Sequence, residues 1–302
     1  MIFGEKVLVS KKFIGIACAI GAAVCYGTNP FGALNLYALG MNTPSVLFYR
    51  FGLAWIIIAA VMLFRKEELR VNRREFLTLT ALGLLFIASS LTLYLSFHLM
   101  PAGVASTILF TYPVMTAAIM AFFFHEKITL STVGSIALAL VGVLLLYWGD
   151  GNGALHLGGV ILVLVSALTY ALYIIVVDKC PLQMSSFKIN FYVLFYCAAG
   201  MAVYALFSGQ PLMLPSSVEA WFYVSWLAIV PAIMALVMMV YAAKYIGSTP
   251  TAILGALEPT TAVLIGVFMF SEPFTLRLLV GILLILVSVM IVVLGKGKKT
   301  VQ

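Results

Sequence analysis

The chain has 302 residues, of which 64% are hydrophobic and only 9% charged, and it carries a formal charge of +7. That leaves too little polar surface to coat a water-soluble globule of this length, so composition excludes a soluble domain and points to an all-α integral membrane protein. The basic residues are scattered through short connections without an aromatic-interleaved patch, which argues against a nucleic-acid partner.

A spanning helix needs about 20 mainly apolar residues, and in chain order ten are predicted: 13–37, 44–64, 76–98, 101–124, 131–148, 156–178, 187–207, 219–242, 248–270 and 275–295. The first run follows Lys11-Lys12 and imitates a secretory signal peptide. It continues past Cys25 and has a counterpart in the second half, so it is expected to be retained. Only the connections at 65–75, 149–155, 178–187 and 208–218 have any length, leaving no separate domain for other chemistry. Cys18, Cys25, Cys180 and Cys197 show no CxxC spacing, and no His or carboxylate stands at ligand spacing from them. Packing is therefore expected of them, with no metal site, disulfide framework or cofactor.

Charge orients these spans. With the amino terminus in the cytoplasm, fifteen Lys and Arg residues fall on the cytoplasmic side, Arg277 alone falls opposite, and Arg50 lies within a helix. Both termini are thus expected inside, with an even number of spans. Tyr147-Trp148 and Tyr223-Trp226 fall near outer ends, where amphipathic rings settle among headgroups.

The chain also repeats. Shifting it against itself by 146 residues superposes Pro113 on Pro259, Phe122 on Phe268, Glu126 on Glu272, Thr129 on Thr275 and Leu138 on Leu284. Near the start of each half, a shift of 144 brings Gly15 onto Gly159, Ala22 onto Ser166, Tyr26 onto Tyr170 and Asn29 onto Tyr173. Each half, 13–148 and 156–295, holds five predicted spans. An odd number makes the second half enter the membrane from the other side, so the halves are predicted to be inverted five-helix repeats.

Candidate site residues follow from depth and periodicity. Glu258 falls near the middle of a predicted span, where a carboxylate is expensive unless it faces a bundle interior or a water-filled cavity. Pro259 beside it cannot donate a backbone hydrogen bond, and neither can Pro113 in the first copy, so both mark helix breaks that free a carbonyl. Arg50 is the other strong charge well inside a span; its guanidinium could pair with Glu258, bind a carboxylate or phosphate, or anchor the helix. Tyr26, Asn29, Tyr170 and Tyr173 share helix faces, and Tyr112 occupies the repeat position of Glu258. With Thr107 and Thr111, these rings and hydroxyls are candidates for a transport path, against the plainer reading of packing. Glu126 and Glu272, at predicted span ends, read as helix-end markers. Small residues at four-residue spacing, as in Gly15-Ala19-Ala23 and Ser131-Ser135-Ala139, favour close helix packing; self-association through them is left open.

The stretch from Pro101 through Thr111-Tyr112-Pro113 to Phe124-His125-Glu126-Lys127-Ile128-Thr129, its partner from Leu257-Glu258-Pro259 to Ser271-Glu272-Pro273-Phe274-Thr275, Gly281, and Phe48-Tyr49-Arg50-Phe51 together resemble the EamA-type permeases of the drug/metabolite transporter superfamily. The resemblance covers about residues 13 to 295. It implies a ten-helix inverted-repeat carrier with a central cavity, working by alternating access, in a family whose members move amino acids, nucleotide-type metabolites, sugars, cations and drugs. Ser271 and His125 stand where that pattern often has Gly, so the two turns need not be alike.

No P-loop or other nucleotide-binding loop is present, so the energy for transport would come from a gradient or from the solute. A secondary transporter of a small metabolite is the leading expectation, most simply an exporter of amino acids or related compounds, with a proton as candidate coupling ion and a bacterial cytoplasmic membrane as its place. A passive channel or a non-transporting sensor is the alternative. A membrane-embedded enzyme would need clustered catalytic groups, and His98, His125 and His156 fall at boundaries on different sides.

Overall fold

The structure is a computed structural model that describes residues 2–125, 130–148, 155–180 and 182–297. Glu126, Lys127, Ile128 and Thr129 of the repeated stretch, most of the connection at 149–155, and Lys298 and Lys299 lie outside the described residues.

The described chain is helical: α1 (Ile2–Gly27), α2 (Asn29–Ala38), α3 (Thr43–Arg65), α4 (Arg73–Ser96), α5 (Ala102–Leu109), α6 (Tyr112–Phe123), α7 (Leu130–Trp148), α8 (Leu157–Lys179), α9 (Ser186–Ser208), α10 (Val218–Ala228), α11 (Ala235–Ile246), α12 (Ser248–Leu254), α13 (Leu257–Phe270) and α14 (Leu276–Gly297). Polar caps set several starts. Asn42 accepts the Ser45 amide before α3, Asn72 and Glu75 form a reciprocal capping box before α4, and Ser185 and Ser217 cap α9 and α10. Each satisfies backbone donors that the first helical turn leaves free.

Among the described residues, eight helical stretches are long and apolar enough to cross a membrane. They are Lys11–Ala38, Thr43–Arg65, Arg73–Ser96, Ala102–Phe123, Leu157–Lys179, Ser186–Ser208, Val218–Ile246 and Pro250–Phe270. The other two predicted spans are apolar helices over shorter lengths, Thr132–Tyr147 and Leu276–Ile291. Large apolar side chains such as Phe64, Phe207 and Phe268 stand on the outside of the bundle, an arrangement at home in lipid.

Several spanning stretches are interrupted. Between α1 and α2 the chain bends at Thr28, whose hydroxyl bonds the Cys25 carbonyl at 2.7 Å while Asn29 Nδ2 bonds the Tyr26 carbonyl at 2.8 Å. Pro30 in the first turn of α2 cannot donate. The breaks at Phe110–Thr111 and Gly255–Ala256 fall within one residue of matching places in the two halves, with Pro113 and Pro259 in the first turns of α6 and α13. A π-helical segment, Ile229–Met234, carries Pro231 between α10 and α11.

Packing follows the repeat. α4 lies on α8 and, in the counterpart pair, α11 lies on α1, while α3 pairs with α9, α5 with α13 and α7 with α14. The α4–α8 contact is pinned by Ser166, which donates to the Ser89 carbonyl at 2.7 Å in a buried pair. Loops tie the halves at both ends. Ser185 and Lys188 bond Glu67 and the Arg70 carbonyl, and at the other end Asn42 and Ser45 bond the Pro211 carbonyl and the Met213 amide.

Candidate transport centre

Arg50 enters the core from α3 and is 7% exposed. Its Nη1 donates to the Tyr94 hydroxyl of α4 at 2.5 Å, and that hydroxyl donates to Asn29 Oδ1 of α2 at 3.3 Å. The guanidinium carbon also lies 5.4 Å from the ring centres of Phe51 and Tyr94, so the charge is cradled by π faces. Its Nε is buried without a hydrogen-bond partner. Leaving such a donor unpaired in a protein interior is costly.

Glu258 stands in the first turn of α13, next to the break, and is only partly buried. The break brings it against α1: a Cβ on Gly27 would lie 2.7 Å from the Glu258 carbonyl oxygen and 2.5 Å from Thr261 Cβ. Only a residue without a side chain lets the two helices meet here. Glu258 and Arg50 make no ion pair within 4.0 Å. Tyr26 lies within electrostatic reach of both, and Tyr112 and Tyr170 within reach of Glu258.

Aromatic rings connect the two charges. Tyr112 meets Tyr170 edge-on at 4.6 Å, Tyr170 stacks on Tyr173 at 5.8 Å, Tyr173 touches Phe86 at 5.5 Å, and Phe86 reaches Phe51 at 6.0 Å. The structure therefore brings Glu258, Tyr26, Tyr112, Tyr170, Tyr173, Asn29 and Arg50 into one neighbourhood. Thr107 and Thr111 are buried, and their hydroxyls bond carbonyls of α5, those of Gly103 and Ile108, at 2.9 and 2.8 Å. Sequence reasoning missed Tyr94 and Phe86. Each is a single ring in an apolar span with no motif around it, and neither has a signal that sequence alone would show.

A second polar cluster sits where α2 ends and α3 begins. Tyr37 stacks on His98 at 4.1 Å and donates to the Tyr94 carbonyl at 3.1 Å, and the Thr43 hydroxyl lies 3.0 Å from His98 Nε2. Burial holds the His98 imidazole below its ordinary value of 6.5. Glu272, read from sequence as a helix-end marker, accepts the Ala102 and Gly103 amides at 2.6 and 3.1 Å. Burial raises its carboxyl above the usual carboxylate range, and those two amides pull it partly back. His125 and Ser271 both adopt left-handed backbone, with φ of 53 and 54°, so the two copies turn alike at this residue. Among the described residues, no three His, Cys, Asp or Glu side chains gather as metal ligands.

Spanning helices in two like halves around a charged, ring-lined centre define a membrane transport protein. Residues 13–148 and 157–294 both match the EamA-like transporter family, and the chain belongs to that family. It is similar to an uncharacterized transporter of Archaeoglobus fulgidus, 27% identical over 92% of this chain and 95% of that protein. It is also similar to the uncharacterized inner membrane transporter YedA of Escherichia coli, 25% identical over 82% of this chain and 80% of that one. A crystal structure with 18% sequence identity superposes with a TM-score of 0.67 over 96% of this chain and 98% of the other, a likeness of fold.

Proposed function

We propose that the protein is a secondary transporter that moves a small zwitterionic metabolite by alternating access, most simply as an exporter of amino acids or related compounds. In this reading, residues 13–148 and 156–295 are inverted halves of five spans each, ten in all. Both termini are cytoplasmic and the membrane is a bacterial cytoplasmic membrane. The charge count of fifteen cations against one supports the orientation.

Arg50 carries the proposal. A guanidinium buried to 7% exposure, bonded through Nη1 and unpartnered at Nε, has unmet capacity for a carboxylate. Glu258, unpaired with it and reached through the same rings, offers the complementary site for an ammonium group or a proton. Tyr26, Tyr112, Tyr170 and Tyr173 supply apolar faces and hydroxyls between them. The helix breaks beside this centre give each half a joint about which one face can close while the other opens.

Metabolites retained and released by cells with and without the protein would be compared, and the strongest difference reconstituted in proteoliposomes. The expected result is saturable flux of an amino acid or similar zwitterion, reduced at least tenfold by Arg50→Ala. Single-channel currents, or no flux of any solute, would contradict it.

A further inference from the structure

Outside the charged centre, Glu272 makes a two-bond contact between the two halves, accepting the Ala102 and Gly103 amides. We infer that Glu272 is a positioning residue: its carboxylate latches the start of α5 to the end of α13 and so holds the centre shut on the face the proposed orientation places outside. The inference rests on the alternating-access reading above.

α5 begins after Pro101 with no side-chain cap of its own. Its first amides have no carbonyl partner within the helix, and they lie at the positive end of its dipole. Glu272 supplies that partner from the other half, with Oε1 on the Ala102 amide and Oε2 on the Gly103 amide. Both bonds involve a charged acceptor and are stronger than neutral ones. Eight residues further, α5 runs into the Phe110–Thr111 break and Tyr112. Moving α5 away from α13 therefore requires both bonds to part.

The surroundings are shaped for this carboxylate. The left-handed Ser271 turns the chain back, the Glu272 amide bonds the Gly266 carbonyl at 3.0 Å, and the side chain folds under α13. There a Cβ on Gly266 would lie 2.1 Å from Oε2, closer than any real contact. In the first copy the position of Gly266 is occupied by Met120, which is 4% exposed. Toward the other end of the seam that α12 and α13 share with the first half, a cavity of about 900 Å³ lies between the start of α1, the end of α11 and α12, lined by Lys11, Lys12, Lys244, Ile253 and Leu254. Along this seam, the Glu272 end is bonded to α5 and the end beside Lys11, Lys12 and Lys244 is open.

Hydrogen exchange of the full chain in lipid nanodiscs tests this. Glu272→Gln is expected to speed exchange of the Ala102 and Gly103 amides about tenfold. It is also expected to slow exchange across 244–254, as the open end closes in return. Gly266→Ala, which displaces the carboxylate but keeps its charge, should give the same paired signature, and Glu219→Gln, an exposed carboxylate at the start of α10, should give neither change. Faster exchange near α5 without slowing at 244–254 would make the contact an ordinary helix cap and overturn the latch. So would an unchanged pattern in both variants, or the paired signature in Glu219→Gln. Failure of the carrier reading shows separately, as absence of solute flux by the unmodified protein.

Discussion

Arg50 and Tyr94 are joined at 2.5 Å, and through the same hydroxyl Tyr94 holds Asn29 at the bend between α1 and α2. One phenol thus ties α3, α4 and α2 together at the depth of the buried charge. Removing it by Tyr94→Phe leaves Nη1 unpaired beside the already unpaired Nε. A loss of about 1–3 kcal/mol is expected for such a buried donor, read as a fall of several degrees in the thermal unfolding midpoint of the detergent-solubilised protein. Arg50→Lys should be as damaging to transport, because an ammonium cannot reproduce the planar fork.

Among the described residues, Glu258 is the only carboxylate of the centre. Glu258→Gln keeps its shape and removes its charge, so flux driven by a pH gradient in proteoliposomes is expected to vanish while the unfolding midpoint changes little. Driven flux at the wild-type rate would exclude Glu258 from coupling.

At Gly27 the prediction is steric. A methyl group there would meet the Glu258 carbonyl oxygen at 2.7 Å and Thr261 at 2.5 Å, and both are held by helix backbone or its first atoms. Gly27→Ala should cost about 1–3 kcal/mol by overpacking. It should also reduce flux more than the equivalent change at Gly52, where a Cβ meets nothing within 4 Å.

His98 makes stability depend on pH. Burial lowers its folded-state value below the ordinary 6.5 of the unfolded chain, so the unfolded chain binds the proton more readily. The neutral ring's contribution, made with Tyr37 and Thr43, is fully present above pH 6.5. It is lost as pH falls through the lower folded value. Unfolding midpoints measured between pH 5 and 8 should therefore fall on the acid side for the native protein and fall less for His98→Asn. An equal fall in both would place the effect elsewhere.

How much of this was legible in the sequence depends on what each residue answers to. Hydropathy is a property of a stretch, so the predicted apolar runs are helical among the described residues, and eight of them are long and apolar enough to cross a membrane. Pro113 and Pro259 announce interruptions because their missing donor acts locally, yet the breaks fall two to four residues earlier, at Phe110–Thr111 and Gly255–Ala256. Arg50 and Glu258 were conspicuous as charges in apolar sequence. Tyr94 was not, because its role comes from meeting Arg50 across 44 positions of chain, a relation that no local pattern encodes. Glu272 was visible as a repeated carboxylate, but its partner is a pair of backbone amides 170 and 169 positions away, and backbone leaves no trace in sequence. The bend at Thr28 likewise depends on side chains bonding carbonyls of the previous turn, which the same residues need not do in a straight helix.

The unequal partners Tyr112 and Glu258, which occupy the same position in their respective halves, bear on how such a chain can arise. Two copies of the first half assembled head to tail would place a phenol at both positions and hold no acid, whereas two copies of the second would bury a pair of mutually repelling carboxylates. Neither homodimer could reproduce the single acid seen here. Joining the halves in one polypeptide is what lets one copy keep the charge and the other give it up, so separately expressed halves should recover activity only as a mixture of both.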